Sequence, residues 1–291
     1  MRKRNNNIQL TSYEELLGMD YGASEDVEKI KIVSLAELHT FKDHPFRVVD
    51  DEKMEETTES ISKYGVLVPA IVRPRIGGGY ELIAGHRRKR GSERAGKTEM
   101  PVIIRNYTDD EATIIMVDSN IQREDILPSE KAKAYSMKYE AMKHQGKKTG
   151  GSTLDAIGEQ AGESGKTVQR YIWLARLSDE LLEMVDAKKI GFVQGVDISY
   201  LTSEAQDWVL EILSDQKVSI STTQSGKLKA YAKNGELTSA MVHLILSEKK
   251  PKERKVTIKA DKISKYFPEE YSSEDIEIVI YELLEEWKNR A

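Results

Sequence analysis

The sequence has 291 residues, no cysteine and a formal net charge of −5, with 32% charged and 39% hydrophobic residues. The lack of cysteine excludes disulfide scaffolds, thiol nucleophiles and cysteine-held metals, and the scattered histidines disfavour a catalytic zinc site. No apolar run approaches the roughly 20 residues of a membrane span and no signal peptide is recognisable, so we expect two or three domains in the cytoplasm.

The first part of the chain divides into a polar lead-in, 1–28, which predicts a flexible segment, and a patterned region, 29–126. Short β-branched runs predict four strands in that region, namely IKIVSL, VLVPAIVRP, YELIAG and MPVIIRNY. Helices are predicted between them, over 51–64 with Gly65 at its end, over 86–95 with Gly96 at its end, and from the capping box of Thr108 to about Asn120. This alternation is typical of a small mixed α/β domain.

The strand signals nearly vanish in residues 127–248, which predict an all-helical domain. Its first helix is expected to begin with Ser129 as the cap and to end near His144. Further capping boxes are predicted at Ser152–Asp155 and at Ser203–Gln206.

Residues 249–291 predict a small β-α C-terminal domain, with a strand in KVTIKAD, 255–261, and a last amphipathic helix that begins at Ser272. The apolar stripe of that helix, from Ile276 to Trp287, is a candidate dimer surface. Packing of the stripe on the strand of its own domain is an equally open alternative. The fold class predicted for the whole chain is α+β.

The segment ELIAGHRRKRGSERAG, 81–96, places a glycine and two arginines at the start of a helix. Unpaired N–H groups at a helix N-terminus and the forked guanidinium groups of Arg87 and Arg88 suit a polyphosphate, and Gly85 lets a ligand approach the backbone. A basic surface helix, or a direct phosphate contact to DNA, is the alternative.

The segment DSNIQREDILPSEKAKAY, 118–135, carries polar side chains where the first domain meets the second. Asn120, Gln122 and Arg123 are candidate ligand residues because ligands often bind at domain junctions. An ordinary polar helix end explains the same residues.

The segment TLDAIGEQAGESGKTVQRYIWLARL, 153–177, predicts a helix-turn-helix. Gly158 allows close helix packing and Gly162 makes the turn, while four apolar residues would lock the two helices together: Ile157, Ala161, Val168 and Ile172. The second helix, which Ser164 caps, would present side chains suited to phosphates and base edges: Lys166, Thr167, Gln169, Arg170 and Trp173. Lys147 and Lys148 in the preceding loop would add phosphate contacts. The alternative is a helical hairpin in an ordinary bundle.

These three motifs occur in the order found in the ParB partition-protein family, which the chain resembles over about residues 30–200. The GERR-type motif of that family corresponds to Gly85-His86-Arg87-Arg88, and its ENxQR-type motif corresponds to Ser119-Asn120-Ile121-Gln122-Arg123. The remainder resembles ParB-type proteins of mobile elements in Gram-positive bacteria.

The resemblance implies a dimer that binds centromere-like sites in double-stranded DNA, works with a ParA-type ATPase and is associated with the nucleoid. It implies that CTP with Mg²⁺ closes the N-terminal domains into a clamp that slides on DNA, and that CTP is hydrolysed slowly. On this chain Gly85, Arg87 and Arg88 would hold the triphosphate with help from Asn120 and Arg123. Val68-Pro69-Ala70 would lie near the base.

Two positions depart from the family pattern, because His86 and Ser119 each replace a glutamate. The glutamate at the second position helps to place magnesium, and a serine hydroxyl is a poorer ligand for this cation than a carboxylate. Asn120 is left as the metal candidate, and we predict weak or absent CTP hydrolysis.

Two other functions fit parts of the sequence. One is a nucleotide-dependent enzyme on the same N-terminal fold, either nuclease-like or similar to free-serine kinases, with Glu81 as a candidate base. The other is a helix-turn-helix transcription regulator that has no part in partition.

Overall fold

The computed structural model describes residues 30–123, 125–145, 152–215, 219–248, 260–268 and 270–290. The chain divides into two compact units, Met1–Glu248 and Lys249–Ala291. The predicted flexible segment 1–28, as well as Lys147 and Lys148, lies outside the described residues.

A five-stranded mixed sheet organises the N-terminal part of the first unit. Its strands are β1 (Ile30–Ser34), β2 (Leu38–Thr40), β3 (Ala70–Pro74), β4 (Tyr80–Ala84) and β5 (Glu99–Ile104), in the spatial order β1-β5-β3-β4-β2. Antiparallel pairing joins β1 to β5 and β3 to β4, whereas β3 with β5 and β2 with β4 are parallel. The sheet forms the β part of the predicted mixed α/β domain, whose strand directions the sequence did not predict.

The strand predicted in VLVPAIVRP is too long, because β3 begins only at Ala70. Pro69 has no N–H to donate to a ladder, and Leu67 and Val68 are exposed rather than buried in the sheet. The three-residue strand β2 was not predicted.

Three helices complete the α/β part, α1 (Glu52–Tyr64), α2 (His86–Arg94) and α3 (Asp109–Asp118). Asp51 caps α1 by accepting a hydrogen bond from the Met54 N–H at 2.8 Å, and Gly65 ends the helix with a φ of 75°. The predicted capping box of α3 is present, since Thr108 and Glu111 bond reciprocally.

Among the described residues of the first unit, eight helices follow: α4 (Pro128–His144), α5 (Thr153–Gln160), α6 (Gly165–Leu174), α7 (Asp179–Asp186), α8 (Phe192–Ile198), α9 (Ser203–Asp215), α10 (Thr222–Lys233) and α11 (Ser239–Ser247). Ser129 does not cap α4, which begins at Pro128; its hydroxyl instead bonds Asp186 at 2.5 Å. Ser152 occupies the N-cap position of α5 without a side-chain bond. At the start of α9 the Thr202 hydroxyl accepts a hydrogen bond from the Ala205 N–H. Gln206, the predicted partner of Ser203 in a capping box, donates instead to the carbonyl groups of Arg176 and Leu201.

The α/β part and the helix-turn-helix share one hydrophobic core. Ile83 of β4, Met116 of α3 and Tyr135 of α4 belong to the same buried cluster as Ile157 of α5 and Val168 of α6. A second cluster holds α7 to α11 together. The sheet and the helix-turn-helix are therefore fixed to one another through α4.

The second unit contains α12 (Ala260–Ile263), a short 3-10 helix and α13 (Ser273–Arg290). The strand predicted over 255–261 falls outside the described residues except for its last two, which belong to α12. Ser272 accepts from the Asp275 N–H and caps α13 as predicted. Among the described residues, every helix is too short or too polar to cross a bilayer.

The apolar stripe of α13 is open to solvent within its own unit. Tyr281 is 62% exposed and Trp287 is 69% exposed, and the helix has no buried side chain. The described residues of this unit therefore do not cover the stripe, whereas the strand of the alternative, predicted over 255–261, lies almost wholly outside the described residues.

Candidate functional site

A basic cleft lies where β4 ends and α2 begins. Its volume is about 180 Å³, and four arginines but no carboxylate line it. The lining residues are His44, Arg47, Val48, Ala84, Gly85, His86, Arg87, Arg88, Ser119, Asn120 and Arg123. The structure thus brings the GERR-type motif together with Ser119, Asn120 and Arg123 of the ENxQR-type motif and with a loop segment that was not predicted. Gln122, the other candidate ligand residue, is exposed and does not line the cleft.

Gly85 makes the turn into α2 with a left-handed backbone, at φ 113°. A Cβ atom at this position would lie 2.8 Å from the Cβ atom of Ala70, which is closer than real contacts allow. Only glycine fits both the backbone conformation and the contact with β3. The guanidinium carbon of Arg88 would lie 3.3 Å from the same Cβ atom, so this arginine also lies at the turn.

Arg88 connects α2 to the segment before β3. Its guanidinium group donates to the carbonyl oxygens of Val68 at 2.7 Å and Pro69 at 2.6 Å. Val68, Pro69 and Ala70 do not line the cleft; they lie behind Arg88 and Gly85. Arg88 therefore holds the segment Val68-Pro69-Ala70, which was predicted to lie near the base, next to the cleft.

Two carboxylates beside the cleft form hydrogen bonds with arginines of α2. Arg87 donates to Asp51 at 3.0 Å, and Arg90 donates to Asp50 at 2.6 and 3.1 Å. These hydrogen bonds hold the pKa values of both carboxyl groups below their usual range. An anion that enters the cleft would compete with Asp51 for Arg87.

Two histidine rings are in contact at the cleft. The centroids of His44 and His86 are 3.8 Å apart, and the ring planes are tilted by 42°. The Nδ1 atom of His44 donates to the Phe46 carbonyl at 2.8 Å, and neither Nε2 atom has a hydrogen-bond partner among the described residues. Burial, aided by the charges nearby, lowers the pKa of His86 to about 3, and burial also lowers the pKa of His44. Both rings are therefore neutral at pH 7, so the position of the usual glutamate carries no negative charge here.

The contacts of Asn120 give little support to its predicted role as a metal ligand. Its amide nitrogen donates to the Met116 carbonyl at 2.8 Å and to the Ser119 hydroxyl at 3.2 Å. No group of three or more histidine or carboxylate side chains among the described residues could hold a metal ion. Asp118 is paired with Lys138 and does not line the cleft. These residues do not fit a protein-held Mg²⁺, which prefers several oxygen ligands.

The helix-turn-helix is built as predicted. Gly162 turns the chain with a φ of 67°, and a Cβ atom on Gly158 would lie only 2.3 Å from the Glu163 carbonyl oxygen. Ile157 and Val168 are fully buried between the helices. The Ser164 hydroxyl caps α6 by accepting from the Thr167 N–H at 3.2 Å. The two other predicted locking residues, Ala161 and Ile172, are half-buried.

The outer face of α6 is open to solvent. Lys166 and Arg170 are exposed, and Thr167 and Gln169 are half-buried. The next turn carries Trp173, which packs edge-on against another aromatic ring. A duplex could therefore reach the side chains that the sequence predicted for recognition.

Glu81, the candidate base of a kinase-like enzyme, is occupied elsewhere. Its carboxylate pairs with Arg73 at 2.6 Å and accepts from the Lys42 N–H at 3.1 Å. It does not line the cleft. The enzyme alternative thus loses its proposed catalytic carboxylate.

An arginine-lined cleft in a small α/β domain, followed by a helix-turn-helix with an open basic face, defines a class of protein with two anion-binding surfaces. The ParB N-terminal domain family matches residues 19–121. A chromosome-partitioning protein ParB from Myxococcus xanthus is 30% identical over 220 residues, which cover 72% of this chain and 71% of that protein. A nucleoid occlusion protein from Geobacillus thermodenitrificans is 28% identical over 222 residues, 76% of each chain. The chain belongs to the ParB family.

Among solved structures, the C-terminally truncated ParB from Caulobacter crescentus complexed to the centromeric parS site is similar to 70% of this chain and 99% of its own. The identity is 23% and the TM-score is 0.42. The family assignment depends on the sequence matches above, and the predicted α+β class is confirmed by the elements described here.

Proposed function

We propose that this protein is a DNA-binding partition protein of the ParB type, with a nucleoside triphosphate, CTP, in the arginine-lined cleft and duplex DNA on α6. One observation carries the proposal: a single compact unit holds both a carboxylate-free basic cleft at a helix N-terminus and a helix-turn-helix with an open basic face. Relatives named as chromosome-partitioning and nucleoid occlusion proteins support the same function.

The cleft suits the phosphates of a nucleotide. Guanidinium groups of Arg47, Arg87 and Arg123 surround the start of α2, where the helix dipole adds partial positive charge. The side chain of Arg123 forms no hydrogen bond or ion pair with the described residues, so its guanidinium group is available to a phosphate group. Magnesium would reach the cleft on the phosphate oxygens rather than on protein carboxylates, and Asn120 would add at most one neutral oxygen.

Two features of the proposal concern partners. The exposed stripe of α13, including Tyr281 and Trp287, is proposed to pair with the same stripe of a second copy, because a solvent-exposed apolar helix face is stabilised by burial. A ParA-type ATPase is proposed as the partner protein from the family resemblance. The place of action would be the nucleoid, in the cytoplasm.

A crossed pair of substitutions tests this function. Arg170→Ala should weaken DNA binding by a factor of about 5 to 150 while nucleotide binding is unchanged, because the loss of a base or phosphate contact costs about 1–3 kcal/mol. Arg88→Ala should abolish nucleotide binding and leave DNA binding nearly intact, because it releases Val68 and Pro69. Calorimetry with each nucleoside triphosphate, with and without magnesium, and gel-shift titration with centromere-like DNA measure the two effects. Equal loss of both activities in both variants would contradict two separate sites.

A further inference from the structure

A basic and aromatic surface adjoins the helix-turn-helix on the side of α10. We call it the Tyr200 platform; it consists of Trp173, Tyr200, Lys229 and Lys233. The rings of Trp173 and Tyr200 meet edge-on, with centroids 5.1 Å apart. The ammonium nitrogens of Lys229 and Lys233 lie 4.2 and 4.9 Å from the centroid of the Tyr200 ring.

The platform continues the open face of α6. Trp173 follows Arg170 by three residues and Lys166 by seven, and residues at these spacings lie on the same side of a helix. Tyr200 lies two residues after the end of α8 and joins that side to α10 through its contacts with both lysines. A duplex seated along α6 would therefore extend towards the two ammonium groups.

The charges of the platform are only partly balanced by the protein. Lys229 pairs with Asp197 at 2.9 Å. Lys233 is exposed, and its ammonium group forms no hydrogen bond or ion pair with the described residues. Its contact with the protein is the Tyr200 ring. Two ammonium groups over one ring repel each other, and a phosphate group beside them would remove that repulsion.

We propose that Lys229 and Lys233 bind backbone phosphates of the duplex next to the stretch that α6 contacts, which lengthens the DNA footprint beyond the helix-turn-helix. The inference depends on the proposed function, since it requires α6 to lie on DNA. Tyr200 keeps both lysine side chains extended towards the duplex by attraction between each cation and the ring. The contact adds affinity without sequence preference, as phosphate contacts do.

Lys233→Gln tests the platform, and Lys227→Gln is the matched control. Lys227 lies on the same helix two residues before Lys229, faces a different side and pairs with Glu248 at 2.7 Å. Both variants remove one positive charge from α10. Long-range changes in electrostatic potential are therefore similar, and only the local phosphate contact differs.

The probe is a labelled duplex of about 40 base pairs with arbitrary sequence, titrated by fluorescence anisotropy between about 50 and 200 mM salt. Each lost phosphate contact lowers the slope of log affinity against log salt by about 0.9, and this decrease is expected for Lys233→Gln. Lys227→Gln should keep the slope of the unsubstituted protein. A triple variant combines Lys229→Gln and Lys233→Gln with Asp197→Asn, since Asp197 would otherwise lose its ion-pair partner. Its slope should decrease by about twice as much as that of Lys233→Gln.

The outcomes separate this inference from the proposed function. If the unsubstituted protein does not bind duplex DNA, the proposed function fails and the platform with it. If that protein binds DNA and Arg170→Ala weakens binding, but Lys233→Gln and Lys227→Gln give equal slopes, the platform alone is refuted. A thermal melt of each variant shows whether it retains the fold, and the triple variant provides a second reading if the single effect is small.

Discussion

At the scale of single residues, the histidine at the GERR-type motif changes the chemistry of the cleft. A glutamate at this position would add negative charge beside the arginines, whereas His86 is half-buried, in contact with the His44 ring and neutral at pH 7. The ring is held in its neutral state by burial and by the positive charges of Lys89 and Arg88. The cleft therefore keeps its positive potential.

This pKa shift predicts that acid destabilises the fold. The pKa of His86 is about 3 in the folded chain and 6.5 in the unfolded chain, so between these values the unfolded chain binds a proton that the folded chain does not. The stability contribution of the neutral ring is full above 6.5 and is lost as the pH falls, by up to about 1.4 kcal/mol per pH unit. Urea unfolding at about pH 7.5 and 5.5 measures this decrease.

His86→Gln should reduce the difference between the two pH values, and His44 should account for part of what remains. His243→Gln is the control, because His243 is exposed on α11. Any change in stability that is independent of pH cancels in the comparison. An equal pH dependence in His86→Gln and His243→Gln would contradict the prediction.

The residues of the cleft were predicted as far as local signals allowed. Gly85, Arg87 and Arg88 stand at a strand-to-helix turn, where helix geometry alone indicates an anion site. His44 and Arg47 were missed because they come from a loop without periodicity, and only the folding of the sheet brings this loop to the start of α2. Their type and spacing carried no signal that distinguishes them from other polar loop residues.

At the scale of elements, the two glycines of the helix-turn-helix have different roles. Gly158 is needed for close approach, because a Cβ atom there would lie 2.3 Å from the Glu163 carbonyl oxygen. Gly162 is needed for its backbone angle, at φ 67°, and a Cβ atom there would meet open space. Gly158→Ala should therefore cost about 2–3 kcal/mol by forcing α5 and α6 apart, and Gly162→Ala only about 1 kcal/mol.

Chemical unfolding gives both free energies, and duplex binding by anisotropy shows the functional effect. We expect Gly158→Ala to weaken DNA binding more than Gly162→Ala does, because the first change moves α6 relative to the rest of the unit. The two variants are matched in side-chain size. A larger loss for Gly162→Ala than for Gly158→Ala would contradict the packing role given to Gly158.

Element ends were predicted well where the signal is local and poorly where a distant residue decides. Gly65 and Thr108 act within their own helices, and both predictions are confirmed. Ser129 was predicted as the cap of α4, but the helix begins at Pro128. The N–H and hydroxyl of Ser129 both donate to Asp186, which is distant in the sequence. The short strand β2 was missed since three residues cannot show an alternating pattern.

At the scale of the whole molecule, α4 connects the cleft to the helix-turn-helix through polar contacts. Lys138 of α4 bonds Asp118, which directly precedes the ENxQR-type motif, and also bonds Gln160 of α5. Lys131 of α4 pairs with Glu163 in the turn of the helix-turn-helix. Sequence patterns could not predict these links, because each joins residues that are separate in the chain and gives no periodic signal.

Lys138 is the test of this connection, since it is only 2% exposed and its partner carboxylate is buried as well. Burial already raises the pKa of Asp118, and the lysine opposes that rise. Lys138→Met would leave the carboxylate without a countercharge, and removal of one partner of a buried ion pair costs about 3–5 kcal/mol. The double variant Lys138→Met/Asp118→Asn removes the stranded charge and should recover most of that loss. Urea unfolding of the two single variants and the double variant completes the cycle, and a double variant whose loss equals the sum of the two single losses would show that the pair is not coupled.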